Sequence, residues 1–203
     1  MSIGGSIVLE DVGSGLSVPA DLLDRITQAN LNDWRCEWLP AMQSLVRGMR
    51  AAGADPSNLP QTEHWDWEQK TRRVQGLLAF QSFAVMAQGK TQGLMRVELN
   101  HTGRMAVQVG KPLVYVEYLE VAPWNRGACA DQRFRGVGTA LMTAAVDLSL
   151  AEGFGGRTAL HSLPQAESYY RDVCGMTDLG PDKNYDDLRY FEMTVQQAAK
   201  FIS

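Results

Sequence analysis

The segment Arg133-Phe134-Arg135-Gly136-Val137-Gly138-Thr139-Ala140-Leu141-Met142 sets two arginines and two closely spaced glycines directly ahead of an apolar, helix-forming run. Such a loop leaves backbone N–H groups unpaired at a helix start, where the helix dipole adds roughly half a positive charge. That is chemistry for holding a phosphate or pyrophosphate. Gly136 and Gly138 keep side chains clear of a ligand and permit positive φ, while Arg133 and Arg135 add charge beside it. The spacing is not that of a P-loop, because no G-x-x-x-x-G-K-[ST] is present, and the order G-x-G-x-x-G of dinucleotide-binding folds is missing too. Upstream, the β-rich run Leu113 to Val121 carries two carboxylates, Glu117 and Glu120, which alternation along a strand would send to opposite faces.

A second segment, Ser162 to Met176, holds Ala166, the pair Tyr169-Tyr170 and Gly175. Between the two lie a helix, a glycine-rich turn from Gly153 to Gly156 and a short strand around Arg157 to His161. The pattern R-x-x-G-x-G-T-A-L followed by A-x-x-Y-Y and a glycine resembles the acetyl-CoA pyrophosphate loop and tyrosine segment of the GNAT superfamily of N-acetyltransferases, from about Leu78 to Met193. The first 75 or so residues carry no comparable motif. Three departures stand out. Ala122 to Gln132, with Trp124 inside it, lengthens the link ahead of the arginine and is expected at the mouth of the cofactor cleft. Four residues rather than three separate Tyr170 from Gly175, and Leu163 stands where many members place an asparagine.

The resemblance implies an enzyme that moves an acetyl group from acetyl-CoA to a primary amine by direct attack, with no metal and no covalent acyl-enzyme. An alkyl amine of pKa near 10.4 is only about one part in a thousand neutral at physiological pH, so the site must accept its proton. By the same resemblance, acetyl-CoA is held by Leu119 and Val121 on the central strand and by Arg133, Phe134, Arg135, Gly136, Val137, Gly138 and Thr139 in the loop. Tyr170 becomes the general acid for the leaving thiolate, with Tyr169, in the family's aromatic packing position, as the less favoured alternative. The base is Glu117, with Glu120 close behind and His161 as a further alternative. Trp124 and Trp67 are the candidate contacts to the acceptor. Trp65 or Trp67, with Asp66 or Glu68, would hold a cationic acceptor by cation–π and charge contacts, against the plainer reading that Trp34, Trp38 and Trp65 form core. The acceptor is a small-molecule or peptide amine. A non-catalytic acyl-CoA-binding or regulatory module, and a toxin that acetylates aminoacyl-tRNA, are the rival readings, and a homodimer is common in the resembled family.

Elements that position these residues can be read from periodicity. Gly4 to Val12 suits a strand and Pro19 to Asn30 a short helix. Leu31, Trp34, Trp38, Met42, Leu45 and Met49 recur at helical spacing across Pro40, which kinks that helix or opens a second one. His64 to Val74 suits another helix, and Leu77 to Gln88 and Leu94 to Asn100 suit paired strands joined across Gly89 to Gly93. Val137, Ala140, Leu141, Ala144, Ala145 and Leu148 line one face of the helix after the loop. The expected fold is α/β and GNAT-like: a mixed, mostly antiparallel central sheet with a splayed strand pair and helices on both faces. A single domain is expected over 1–203, with 1–76 on the acceptor side and 77–203 forming the cofactor-binding core. With 45% hydrophobic residues and a formal net charge of −4, the chain suits one substantial core and no nucleic-acid partner. Cys36, Cys129 and Cys174 are scattered without a C-x-x-C pair, against a disulfide framework or zinc site. No signal segment or long apolar run is present, so a cytoplasmic protein without membrane association is expected.

Overall fold

A computed structural model describes residues 3–126 and 132–203. In chain order the elements are β1 (Gly5–Asp11), β2 (Ser17–Leu23), α1 (Gln28–Asp33), α2 (Leu39–Ala51), α3 (Trp67–Arg73), β3 (Phe80–Ala87), β4 (Lys90–Thr102), β5 (Pro112–Val121), β6 (Phe134–Arg135), α4 (Val137–Ala151), β7 (Thr158–Ser162), β8 (Thr177–Asp182), β9 (Leu188–Met193) and α5 (Val195–Phe201). The strands form one sheet in the order β6-β1-β2-β3-β4-β5-β7-β9-β8. Among its described pairings only β5 with β7 is parallel. This is the mixed, mostly antiparallel architecture expected from the sequence.

The two sheet faces bury different chemistry. On one, α4 covers an aliphatic core that includes Val85, Met95, Val116, Leu141, Leu160 and Phe191. On the other, Trp34, Trp38 and Trp67 pack with Leu31, Leu94 and Ala122 beneath the N-terminal helices. Trp38 is anchored by its indole N–H, which donates to Thr91 O at 3.1 Å. No helix among the described residues is long and apolar enough to cross a membrane.

Two expectations about these elements need correction. Pro19 to Leu23 belongs to β2, not to a helix: Ala20 and Leu22 alternate inward and the strand pairs with both β1 and β3. Helix begins only after Thr27, whose side chain and that of Asn30 cap it reciprocally. The hairpin between β3 and β4 is also tighter than expected, because Gln88 and Gly89 alone turn the chain, with φ of 52° and 73°. Met105 to Val109 forms a turn. The Pro40 question resolves locally: the chain stays helical through a π turn over Trp34–Trp38, and Pro40 enters in the first turn of α2.

Candidate active site

The glycine loop ahead of α4 is held from behind by the sheet. Val12 N–H donates to Arg133 O at 2.8 Å, Phe134 N–H donates to Asn125 Oδ1 at 3.0 Å, and β6 pairs with β1 through Glu10 and Asp11. Gly136 then turns the chain into α4 with φ of 91°, a conformation that favours glycine. The first intrahelical bond is Ala140 N–H to Gly136 O. The N–H groups of Val137, Gly138 and Thr139 therefore precede the ladder, and no side chain caps them. Gly138 has a second use: a Cβ there would come within 3.2 Å of the Tyr169 hydroxyl. The loop arginines are partly committed. Arg135 pairs with exposed Glu10 at 3.1 Å, and the Arg133 guanidinium lies 4.8 Å from the Trp124 ring centre. Phe134 and Val137 are buried core residues, so their side chains are not available to a ligand.

Beside this loop the sheet opens. β5 pairs with β7 only from Val114 to Val116, whereas β5 continues to Val121. Ala122 N–H bonds Gln92 O on the β4 side. By the two-residue period, the N–H groups of Leu119 and Val121 then point to the opened side, where the ladder has ended.

A bulge changes which face the carboxylates occupy. Arg96 lies opposite Tyr118 and Val97 opposite Val116, so Glu117 is the extra residue on β5. Tyr118 and Glu120 therefore share the face covered by the N-terminal helices, while Leu119 and Val121 pack toward the α4 core. Glu117 reaches that same helix-covered side, because both its oxygens are taken by Arg96, at 2.7 and 2.6 Å, and Arg96 stacks over Tyr118. The expected separation of the two glutamates to opposite faces does not occur. Glu117 is fully engaged by its guanidinium partner; Glu120 is not ion-paired so closely.

Glu120 is 5% exposed. Thr62 Oγ1 donates to its Oε1 at 2.5 Å and Trp67 Nε1 to its Oε2 at 2.6 Å, with Arg126 at 4.0 Å. Burial pushes its carboxyl pKa upward, against the opposing pull of these two donors and of Arg126 and Lys70. Trp67 is 0% exposed, so it holds Glu120 and does not offer a surface to an acceptor, contrary to expectation. Trp124 donates to Gln92 Oε1 at 3.0 Å, which fixes the start of the extended link. Gln92 also accepts from Asn125 at 2.9 Å. Gly127 to Asp131, the middle of that link together with Cys129, lies outside the described residues.

The two tyrosines diverge within a π turn over Tyr169–Val173, which absorbs the extra residue before Gly175. Tyr169 points its hydroxyl to Thr139 Oγ1 at 3.5 Å, so it braces the start of α4. Tyr170 is 7% exposed, its ring centre 6.1 Å from that of Phe191. Its hydroxyl bonds no described residue. Burial raises its pKa, so it stays protonated at neutral pH. His161 is committed elsewhere: Tyr115 OH lies 2.7 Å from Nδ1, Asp182 Oδ2 lies 3.1 Å from Nε2, and Tyr185 stacks on the ring. Sequence reading missed Thr62, Lys70, Gln92 and Arg96. Each acquires its place only when segments distant in sequence meet on β4 and β5.

No family model and no curated protein sequence matches the chain. Solved structures do. The PaiA N-acetyltransferase from Thermoplasma acidophilum, in complex with coenzyme A, superposes with a TM-score of 0.52 at 11% identity, over 86% of this chain and 98% of its own. The GNAT domain of S. lividans PAT gives a TM-score of 0.53 at 15% identity, over 94% of this chain and 96% of its own. The chain has the GNAT fold. The opened end of β5 and the uncapped start of α4 are brought side by side, since a Cβ on Gly93, which pairs with Val121 of β5, would meet Val137 at the start of α4. The described residues contain no group of His, Cys, Asp and Glu arranged to hold a metal ion.

Proposed function

We propose that the protein is an acetyl-CoA-dependent N-acetyltransferase acting on a primary amine by direct attack. One observation carries this reading: unpaired N–H groups at the start of α4 adjoin a strand edge opened beyond Val116, with a buried carboxylate, Glu120, on that same strand. PaiA, which has the same fold at low identity, binds coenzyme A, and that supports the choice of ligand. The residues fit the group. The N–H groups of Val137, Gly138 and Thr139 suit a pyrophosphate, and those of Leu119 and Val121 suit the amide groups of a pantetheine arm.

When bound, acetyl-CoA supplies an acyl thioester. The opened edge of β5 orients and polarises through fixed backbone donors, which need no reorganisation during reaction. Tyr170 holds its proton at neutral pH and is the donor for a leaving thiolate. Glu120 takes the proton that an ammonium acceptor must lose, and its raised pKa brings it nearer that task than an ordinary carboxylate. Glu117, neutralised by Arg96, positions the bulge. The N-terminal helices and α3 wall the acceptor side, as proposed for residues 1–76.

Calorimetric titration with acetyl-CoA, followed by CoA release in the presence of a panel of primary amines, tests the assignment. Tyr170→Phe is expected to keep acetyl-CoA affinity and to lower turnover by about 10²–10⁴-fold. Absence of acetyl-CoA binding to the native chain would overturn the reading. Binding without CoA release to any amine would instead favour a non-catalytic acyl-CoA-binding module.

A further inference from the structure

Lys70 has no part in the scheme above, yet it occupies the acceptor wall. Its Nζ lies 3.3 Å from the ring centre of Tyr118 and 4.8 Å from that of Trp65. Tyr118 directly follows the bulge residue Glu117 and directly precedes Leu119, whose N–H faces the opened strand edge. The amine of Lys70 is thus held against the stretch of β5 that the acetyl-transfer reading assigns to the thioester. The carboxylate best placed to pair with it is already spent, since Glu117 is bound at both oxygens by Arg96. Arg96 and Arg73 add repulsion, and Glu120 is the remaining acid whose field reaches Lys70.

We propose that Lys70 is itself an acetyl acceptor, a modification site acetylated within the same molecule by an acyl-CoA thioester. The inference rests on the acetyl-transfer function proposed above. In the transfer, neutral Lys70 Nζ forms a bond to the acyl carbon and the carbon–sulfur bond breaks, its electron pair leaving on sulfur. The sulfur takes a proton from Tyr170, and the proton shed by the Lys70 nitrogen passes to Glu120. The products are Nε-acetyl-Lys70 and CoA, and solvent returns both side chains to their starting states.

Reactivity follows from the surroundings. Burial, with Arg96 next in weight, pushes the Lys70 pKa down to about 8. Near pH 7.5 roughly a quarter of such a lysine is neutral, against about one part in a thousand for an ordinary one. Lys90, Lys111, Lys183 and Lys200 serve as internal controls, and Lys90 is ion-paired with Glu37.

The test uses the full chain incubated with acetyl-CoA, with peptide mass spectrometry at each lysine and calorimetry on the same preparation. Lys70 is expected to acetylate about a hundredfold faster than the control lysines. Its rate should saturate at the acetyl-CoA dissociation constant, be unchanged by dilution of the protein, and fall when desulfo-CoA competes. Lys70 reacting no faster than the controls, or linearly in acetyl-CoA and indifferent to desulfo-CoA, overturns the proposal. If acetyl-CoA binds and amines are acetylated while Lys70 stays unmodified, this inference alone falls. If calorimetry shows no binding, both fall together.

Discussion

Glu192 on β9 and Glu120 on β5 are both nearly sealed from solvent, at 0% and 5% exposure, but they are held by different kinds of donor. Glu192 accepts from the backbone N–H of Arg104 at 2.7 Å and of Met105 at 3.2 Å, and from Gln108 Nε2 at 2.6 Å. All three donors belong to the turn between β4 and β5, so this carboxylate clamps a loop whose amides would otherwise be unpaired. Glu120 accepts from one hydroxyl and one indole, each on a different segment, and its acid form gains from burial. A buried carboxylate met by backbone amides ties down structure. One met by two neutral side chains, with a nearby lysine whose own pKa is depressed, has the surroundings that the proposed proton transfer requires.

Substitutions can break this contrast. Glu120→Gln should lower turnover by about 10²–10⁴-fold while leaving acetyl-CoA affinity unchanged, measured by steady-state kinetics beside calorimetry. Equal losses of binding and turnover would remove Glu120 from the base role. Glu192→Ala should act on the fold instead. It strands several buried donors and should cost about 3 kcal/mol, seen as a lower melting temperature, with acetyl-CoA affinity retained below the transition. A subtler change sharpens the comparison through pH. Trp67 donates to Glu120 and so lowers its pKa; Trp67→Phe removes that bond and raises it. Because the base must be ionised to act, the acid limb of kcat/KM should move to higher pH in Trp67→Phe. A limb that stays in place, or moves the other way, would place the titrating group elsewhere.

Parts of this site that depend on backbone were legible in the sequence. Gly136 before an apolar helical run announced unpaired N–H groups, and the helix it starts is where expected, although Val146 and Met142 make its buried surface wider than one stripe. The alternation of Leu113 to Val121 announced β5. What escaped depended on tertiary meetings. Thr62 reaches Glu120 across 58 residues, and Arg96 reaches Glu117 across 21. No local signal marks the bulge, because Glu117-Tyr118 is an ordinary strand dipeptide and the extra residue is defined only against β4. β2 was missed for a related reason: Pro19 and Asp21 look unlike strand residues, yet pairing on both sides and the inward Ala20 and Leu22 outweigh that preference.

The bulge at Glu117 gives β5 a parity. Before it, odd-numbered residues such as Leu113 and Tyr115 face away from α4; after it, the even-numbered Tyr118 and Glu120 do. The surplus residue shifts the numbering but not the relation between side chain and amide: residues packed toward α4, Val114 before the bulge and Leu119 and Val121 after it, all turn their N–H groups away from β4. Removing that residue would leave Tyr118 alone opposite Arg96 in a regular ladder, with Tyr118 and Glu120 still on the helix-covered face and the N–H groups of Leu119 and Val121 still turned from β4. Keeping Glu117 but pairing it regularly is the change that would matter, since it would send Glu120 to the α4 face and turn the N–H groups of Leu119 and Val121 toward β4.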